Sequence, residues 1–355
     1  MRAILESQRM APFADGAGPL GKDQSETLSY RGRTVLVFGG SSGTGESAVR
    51  EFLDLGADSV YLGTRSEARF VNSQKRLGNL FDADVSRLRP FVADVADPNQ
   101  VDDAIRRMKG DGVAPTNVFF FQAAGIEEFA DPLKVHLDAL LSIHERNQPD
   151  RAEQITAGME LLNNDLAGWL ANEEYTKHAE AVNYTGPVAA INILAQAYGG
   201  GFDITDINST FGHLGEGPPF YKNVLSKYQF SQWLRESAPA LHAQGITAAE
   251  IVAPVIADTG VGYMITSRIL PHCPQDIQEL VIDTLVKKAD VVQAARLHTD
   301  PSHHERLAAQ DGLDIRYVMR QGGSMRNGKA VVGPELTVTS EMPAKMRVDV
   351  SRFPF

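Results

Sequence analysis

The chain is poor in cysteine: Cys273 is the only one in 355 residues. That excludes an intramolecular disulfide and fits a reducing compartment. Bracketed by Pro271 and Pro274, this thiol reads as a loop residue rather than a nucleophile. Long apolar runs are missing too. No window reaches the roughly 18 uninterrupted apolar residues of a membrane span. Charges break every apolar run of the opening MRAILESQRMAPFADG, so no signal peptide is expected. Positive charge is in deficit, with 34 Lys and Arg against 45 Asp and Glu, a formal net charge of −11. That balance argues against nucleic acid or a membrane surface as a partner. The expectation is a soluble, cytoplasmic protein that acts on a small molecule.

What is present is an ordinary folding composition, 43% hydrophobic and 22% charged, in a chain long enough for one large α/β domain. Residues 1–30 are polar and aperiodic and read as an N-terminal arm. From residue 31 short apolar runs alternate with helical periodicity: TVLVFGG, SVYLGTR, LRPFVADV, TNVFFFQAAG, FDITDINSTFG and ITAAEIVAPV read as six strands. Strands alternating with helices predict βαβ units, and continuous apolar runs such as VFFF predict a parallel sheet covered on both faces. A long helical insertion over 128–181 and a segment over about 260–315, a candidate substrate lobe, interrupt the rhythm. In the latter, PQDIQELVIDTLVKKADVVQAARL reads as one helix. The main domain is expected to run to residue 330, followed by a C-terminal extension, 331–355, in which the alternation of KMRVDVSRF suits either an edge strand or a segment reaching a neighbouring subunit.

VLVFGGSSGTGESAV sets Gly39, Gly43 and Gly45 between the first strand and the first helix, with Ser41 and Ser42 inside the turn. Glycine allows the tight turn and a close backbone approach to a pyrophosphate, while the helix N-terminus offers free N–H groups. The spacing resembles the Gly-x-x-x-Gly-x-Gly loop of the short-chain dehydrogenase/reductase family, with Phe38 where that family usually has threonine. Further segments resemble the family in the same order over roughly residues 33–260. FVADVAD supplies Asp94, which the resemblance assigns to the adenine amino group. FQAAG supplies Ala124 and Gly125 at a strand end, with Gln122 and Ala123 in place of two asparagines. VNYTG places Asn183 at the asparagine of the family's proton relay. INSTFG makes Ser209 the candidate catalytic serine. APVIADTG retains Pro254 and Thr259 for the nicotinamide, with Val255 replacing glycine.

The resemblance implies a doubly wound parallel α/β sheet, Rossmann-type, that binds a nicotinamide cofactor and forms a homodimer or homotetramer. No acidic residue closes the second strand in LGTRS. Arg65 stands there instead and would meet a 2′-phosphate, so NADP(H) is favoured over NAD(H). The other reading of Arg65 is a solvated turn residue.

The catalytic pair departs from the family. Its tyrosine and lysine lie four apart on one helix, and the lysine both binds the ribose and lowers the phenol pKa. Here Lys227 follows Ser226 as expected, but Asn223 occupies the tyrosine position, and the nearest upstream phenol is Tyr221 in PPFYKNVLSKYQF. A six-residue interval leaves two helical side chains roughly 120° apart at about 100° per residue. Three readings stay open. Tyr221 acts from outside the helical phase, at a distance from Ser209 close to the family's usual interval. Alternatively Ser209, His213 or another acid performs altered chemistry, enoyl reduction included. Or the domain binds the cofactor without redox turnover. Tyr184 and Tyr228 read as packing residues. His298, His303, His304 and Glu305 read as a polar loop, and no metal is expected. The 57 residues between Gly125 and Asn183 leave room for an insertion beside the active-site rim, which hints at a substrate larger than a small alcohol.

Overall fold

In a computed structural model of the chain, the described residues are 29–122, 173–215, 223–257, 262, 266, 270, 275–297, 312–326 and 329–346. The first strand, β1 (Thr34–Phe38), is rich in β-branched and aromatic residues and almost wholly buried. Helix α1 (Gly43–Asp54) follows it, and its buried Ala48, Val49, Phe52 and Leu53 recur at helical spacing, which turns one apolar stripe onto the sheet. Strand β2 (Ser59–Thr64), helix α2 (Glu67–Phe81), strand β3 (Leu88–Val92), helix α3 (Pro98–Gly110) and strand β4 (Asn117–Phe120) continue the alternation. Helix α3 starts where the residues dictate. Pro98 lies in its first turn, and the Asp97 side chain accepts hydrogen bonds from the N–H groups of Asn99 and Gln100.

After residues 123–172, helix α4 (Glu173–Glu180) runs through one π-helical turn, Ala181–Thr185, into α5 (Gly186–Tyr198). Strand β5 (Phe202–Ser209), the short α6 (Thr210–Leu214), the long α7 (Asn223–His242) and strand β6 (Ile246–Ala253) complete the segments expected from sequence. The sheet order is β3-β2-β1-β4-β5-β6, all parallel, with β7 (Leu313–Gln321) parallel beyond β6 and β10 (Glu335–Thr339) antiparallel at the edge. Strands β8 (Ser324–Arg326) and β9 (Lys329–Val331) form a separate antiparallel pair.

One face carries Leu36, Phe38, Phe91, Ile105, Ile191 and Phe230 under α3, α5 and α7. The other carries Val35, Val37, Val49, Phe52, Phe119 and Val291, so the sheet is doubly wound. The strand order reverses between β1 and β4, which opens a crevice at the carboxyl ends of those parallel strands.

Two points differ from the sequence reading. PQDIQELVIDTLVKKADVVQAARL is not one helix. It forms α8 (Gln275–Ile282) and α9 (Lys288–Leu297), broken where Val286 enters a parallel bridge with Ile256 and exchanges backbone hydrogen bonds with Val255 and Ala257. The Asp290 carboxylate then accepts from the Lys287 N–H at 2.7 Å and starts the second helix. Strand β7 was not foreseen, because LDIRYVMRQ mixes charge into its period. Its largely buried Arg316 and Arg320 are paired with Asp314 and Asp290. An antiparallel edge strand is formed by Glu335–Thr339; of KMRVDVSRF, Lys345 and Met346 lie in a 3₁₀ turn and 347–353 lie outside the described residues. Most of the 128–181 insertion, the arm up to residue 28, Cys273 and the histidines of 298–304 lie outside the described residues. Among the described residues no helix is long and apolar enough to cross a membrane and no cluster of metal-ligating side chains occurs.

Candidate active site

The glycine loop sits at the carboxyl end of β1. Gly39 turns the chain at φ 73°, in the left-handed region that favours glycine. Gly45 packs so tightly that a Cβ there would stand 2.2 Å from the Gly39 carbonyl oxygen. Ser42 precedes α1 in extended conformation, and its side chain makes no capping bond to the first helical N–H groups. A Cβ on Gly43 would meet nothing within 4 Å, so the turn faces open space. An uncapped helix N-terminus facing open space suits a pyrophosphate. Phe38, at the family's threonine position, points into the core and stacks on Phe120 with ring centroids 4.9 Å apart.

The neighbouring strand ends complete a cradle. Thr64 Oγ1 at the end of β2 and Gln122 Oε1 just after β4 are buried without a hydrogen-bond partner among the described residues, as expected of atoms reserved for a ligand. Arg65 follows Thr64 and is exposed. Asp94 lies just past β3, where its Oδ1 accepts from the Ala96 N–H at 3.0 Å. These residues fit a dinucleotide: glycines and a helix end for the phosphates, Asp94 for the adenine, and Arg65 beside the ribose.

At the far side of the crevice β5 ends on Ser209. The Ser209 N–H donates to Asn208 Oδ1 at 2.8 Å, and its Oγ accepts from the Gly212 N–H at 3.1 Å. Lys227, on α7, is buried, and its ammonium donates to the Ile207 carbonyl oxygen at 3.3 Å, two residues before Ser209 on the same strand. Asn183, buried in the π-helical turn, donates from Nδ2 to Ser226 Oγ at 3.2 Å, next to that lysine. Single π-helical turns are frequent at functional sites. Helix α7 begins at Asn223, one turn before Lys227. Pro254 follows β6 directly. Tyr221, Ala124, Gly125 and Thr259 lie outside the described residues.

No protein-family model matches the sequence, and no curated protein matches it. Solved structures do. A short-chain type dehydrogenase/reductase from Mycobacterium ulcerans superposes with a TM-score of 0.57 at 15% identity, over 81% of this chain and 89% of that one. A short chain dehydrogenase from Burkholderia cenocepacia J2315, solved in complex with NADP, superposes with a TM-score of 0.50 at 17% identity, over 83% of this chain and 90% of that one. The chain has the short-chain dehydrogenase/reductase fold.

Behind the carboxyl edge of this short-chain dehydrogenase/reductase fold lies a buried polar cluster that sequence reasoning missed. Asp206 of β5 and Glu250 of β6 are register partners and both are buried. Glu250 accepts from Asn208 Nδ2 at 2.7 Å and meets His213 Nδ1 at 3.1 Å. His213 Nε2 lies 2.8 Å from both the Tyr317 hydroxyl and Arg235 Nη2. Burial works against the Glu250 carboxylate, but the hydrogen bonds from His213 and Asn208 outweigh it and hold its carboxyl below the usual range. Asp206 has less support. Burial raises it to about 7, only partly opposed by the Lys227 charge and reinforced by Glu250. His213, weighed from sequence as a substitute acid, is thus a satisfied core histidine. Its Nε2 is engaged by Tyr317 and Arg235 and its Nδ1 by Glu250, so the ring is spent inside this cluster. The signal for this cluster was present as polar residues inside strands, D and N in DITDINS and E in AAEIVA, but strand polarity alone does not say which residues meet.

Proposed function

We propose that the chain is an NADP(H)-dependent oxidoreductase that reduces a carbonyl group, or oxidises the corresponding alcohol, of a medium-to-large organic substrate. One observation carries the reading: Ser209, Lys227 and Asn183 gather at the carboxyl edge of the sheet, across the crevice from an uncapped glycine loop. The bound nicotinamide supplies or accepts the hydride. Gly39, Ser41, Ser42, Gly43 and Gly45 hold the pyrophosphate, Asp94 the adenine, and exposed Arg65 the 2′-phosphate with a charge-assisted contact. Ala124, Gly125, Pro254 and Thr259 line the nicotinamide side.

Ser209 donates from Oγ to the substrate oxygen, since its acceptor side is engaged by the Gly212 N–H. Tyr221 delivers the proton that the developing alkoxide takes up, and reclaims it in the reverse direction. Lys227 contacts the ribose and, as a nearby cation, favours the ionised phenol. Asn183, held against Ser226 beside that lysine, orders the water that resupplies the proton. The phenol comes from the segment before α7, because Asn223 occupies the first position of that helix.

The test is NADPH consumption against a panel of ketones and enoyl thioesters, with Tyr221→Phe and Asn223→Ala beside the wild type. Turnover of ketones, with a loss of about 10²–10⁴-fold in Tyr221→Phe and little change in Asn223→Ala, supports the assignment. An unimpaired Tyr221→Phe removes Tyr221 from the mechanism. Turnover of enoyl substrates alone reassigns the reaction to C=C reduction. Binding of NADPH without consumption of it on any substrate points to a cofactor-binding protein without redox turnover.

A further inference from the structure

The glycine loop is held from outside by a residue that no motif marks. Arg76, on α2, donates from Nη2 to the Ser41 carbonyl oxygen at 2.7 Å and to Ser73 Oγ at 3.0 Å. Ser73 Oγ, in a fully buried residue, donates to the same carbonyl at 3.1 Å. Arg76 also bonds Glu46 in the first turn of α1, with Nε and Nη2 at 2.9 and 2.7 Å from Oε1. We propose that Arg76 is a positioning residue for the cofactor, which aims the Ser42 N–H at the pyrophosphate and cancels the charge of Glu46 beside it.

Two physical arguments lead there. A trans peptide is planar, so its C=O and N–H point to opposite sides, and no cis peptide occurs among the described residues. With the Ser41 oxygen tied down toward α2 by two donors, the Ser42 N–H is directed away from α2, toward the open mouth of the loop. The second argument is electrostatic. A helix N-terminus attracts an anion through its dipole, yet Glu46 places a carboxylate within that same first turn. Left unpaired, it opposes a doubly charged pyrophosphate by more than the dipole contributes at such range. The Arg76 guanidinium offsets that charge from beside the turn, with Nε and Nη2 directed to Glu46, Ser41 and Ser73. Lysine, a single point charge, satisfies only part of this geometry.

The inference rests on the reading of the loop as a dinucleotide site, so the experiment measures binding rather than turnover. NADPH is titrated into the unliganded protein by calorimetry, for wild type, Arg76→Met, Arg76→Lys, Glu46→Gln and the Arg76→Met/Glu46→Gln double variant. Thermal unfolding of each unliganded form is recorded alongside. The expected result is a Kd raised about tenfold or more in Arg76→Met. Arg76→Lys should recover part of the loss and Glu46→Gln should bind as tightly as wild type or tighter. The double variant should bind severalfold better than Arg76→Met. A purely structural role would lower the melting temperature of the single and double variants alike and would not restore affinity on removal of Glu46. Wild-type binding with Arg76→Met within twofold of it overturns the proposal, as does a double variant no better than the single. Failure of wild type to bind either NADPH or NADH overturns the cofactor reading itself and this inference with it.

Discussion

The two halves of the sheet handle polarity in opposite ways. Around β1–β4 the interior is apolar and aromatic, with Phe38 packed between Phe91 and Phe120, and the functional groups are backbone atoms of the glycine loop. The one ion pair at that loop, Arg76–Glu46, is partly solvated, with side chains 37% and 16% exposed. Around β5–β7 the interior itself is charged: Asp206, Asn208 and Glu250 stand on adjacent strands under Lys227, His213 and Arg235. The first half orders the backbone of the glycine loop by steric constraint. The second orders side chains by a buried network, in which each group depends on the others for its desolvation to be offset.

The sharpest way to break the comparison is Glu250→Ala. Removing one member of a buried charged network leaves His213 and Asn208 without their acceptor and Arg235 without a counter-charge, and the expected cost is about 3–5 kcal/mol in denaturant unfolding. A loss below about 1 kcal/mol, the range of exposed ion pairs, would make the two halves equivalent.

Asp206→Asn probes the same network through pH. The carboxyl is raised from 3.8 to about 7 in the folded state. Folding therefore favours its protonated form: this contribution is complete below pH 3.8 and is lost as pH rises through 7. Relative to wild type, Asp206→Asn should gain stability between those values and keep the gain at pH 8, by at most about 4 kcal/mol. The gain shrinks by whatever Lys227 loses with its partner. Melting curves at pH 4 and pH 8 decide it, and a difference between variant and wild type that does not grow with pH removes Asp206 from the titration.

In the other half, Gly45→Ala should act by contact alone. The new Cβ would meet the Gly39 carbonyl oxygen at 2.2 Å, an overpacking that costs about 1–3 kcal/mol and disturbs the loop. The unfolding midpoint should drop without pH dependence while NADPH affinity falls, and an unchanged affinity would show that the loop geometry is not what the cofactor reads.

The same contrast explains what could be read in advance. Six strands, the α1 and α3 helices and the glycine loop were legible because each is encoded locally: β-branched runs, a Pro98 and Asp97 start signal, and glycine where φ is positive or the backbone approaches closely. The break between α8 and α9 was not, because nothing in VIDTLVKK announces that Val286 will pair with Ile256. Ser209, Lys227 and Asn183 could be named from their flanking motifs. Arg76 could not, since it stands on a helix of ordinary composition and meets Ser41 only because α2 packs beside the loop.

By itself, then, the sequence determined the order of strands and helices as far as β6 and the position of the glycine loop, and its resemblance to the family named the serine, lysine and asparagine of the candidate site. Those depend on the conformational limits of single residues and on short periodic patterns. Only the tertiary structure decided that Asp206 faces Glu250, that His213 is consumed by Tyr317 and Arg235 rather than offered to a substrate, and that Arg76 closes over Ser41. Strand register and helix docking set these pairings. A charge has no preferred neighbour until folding removes the water around it.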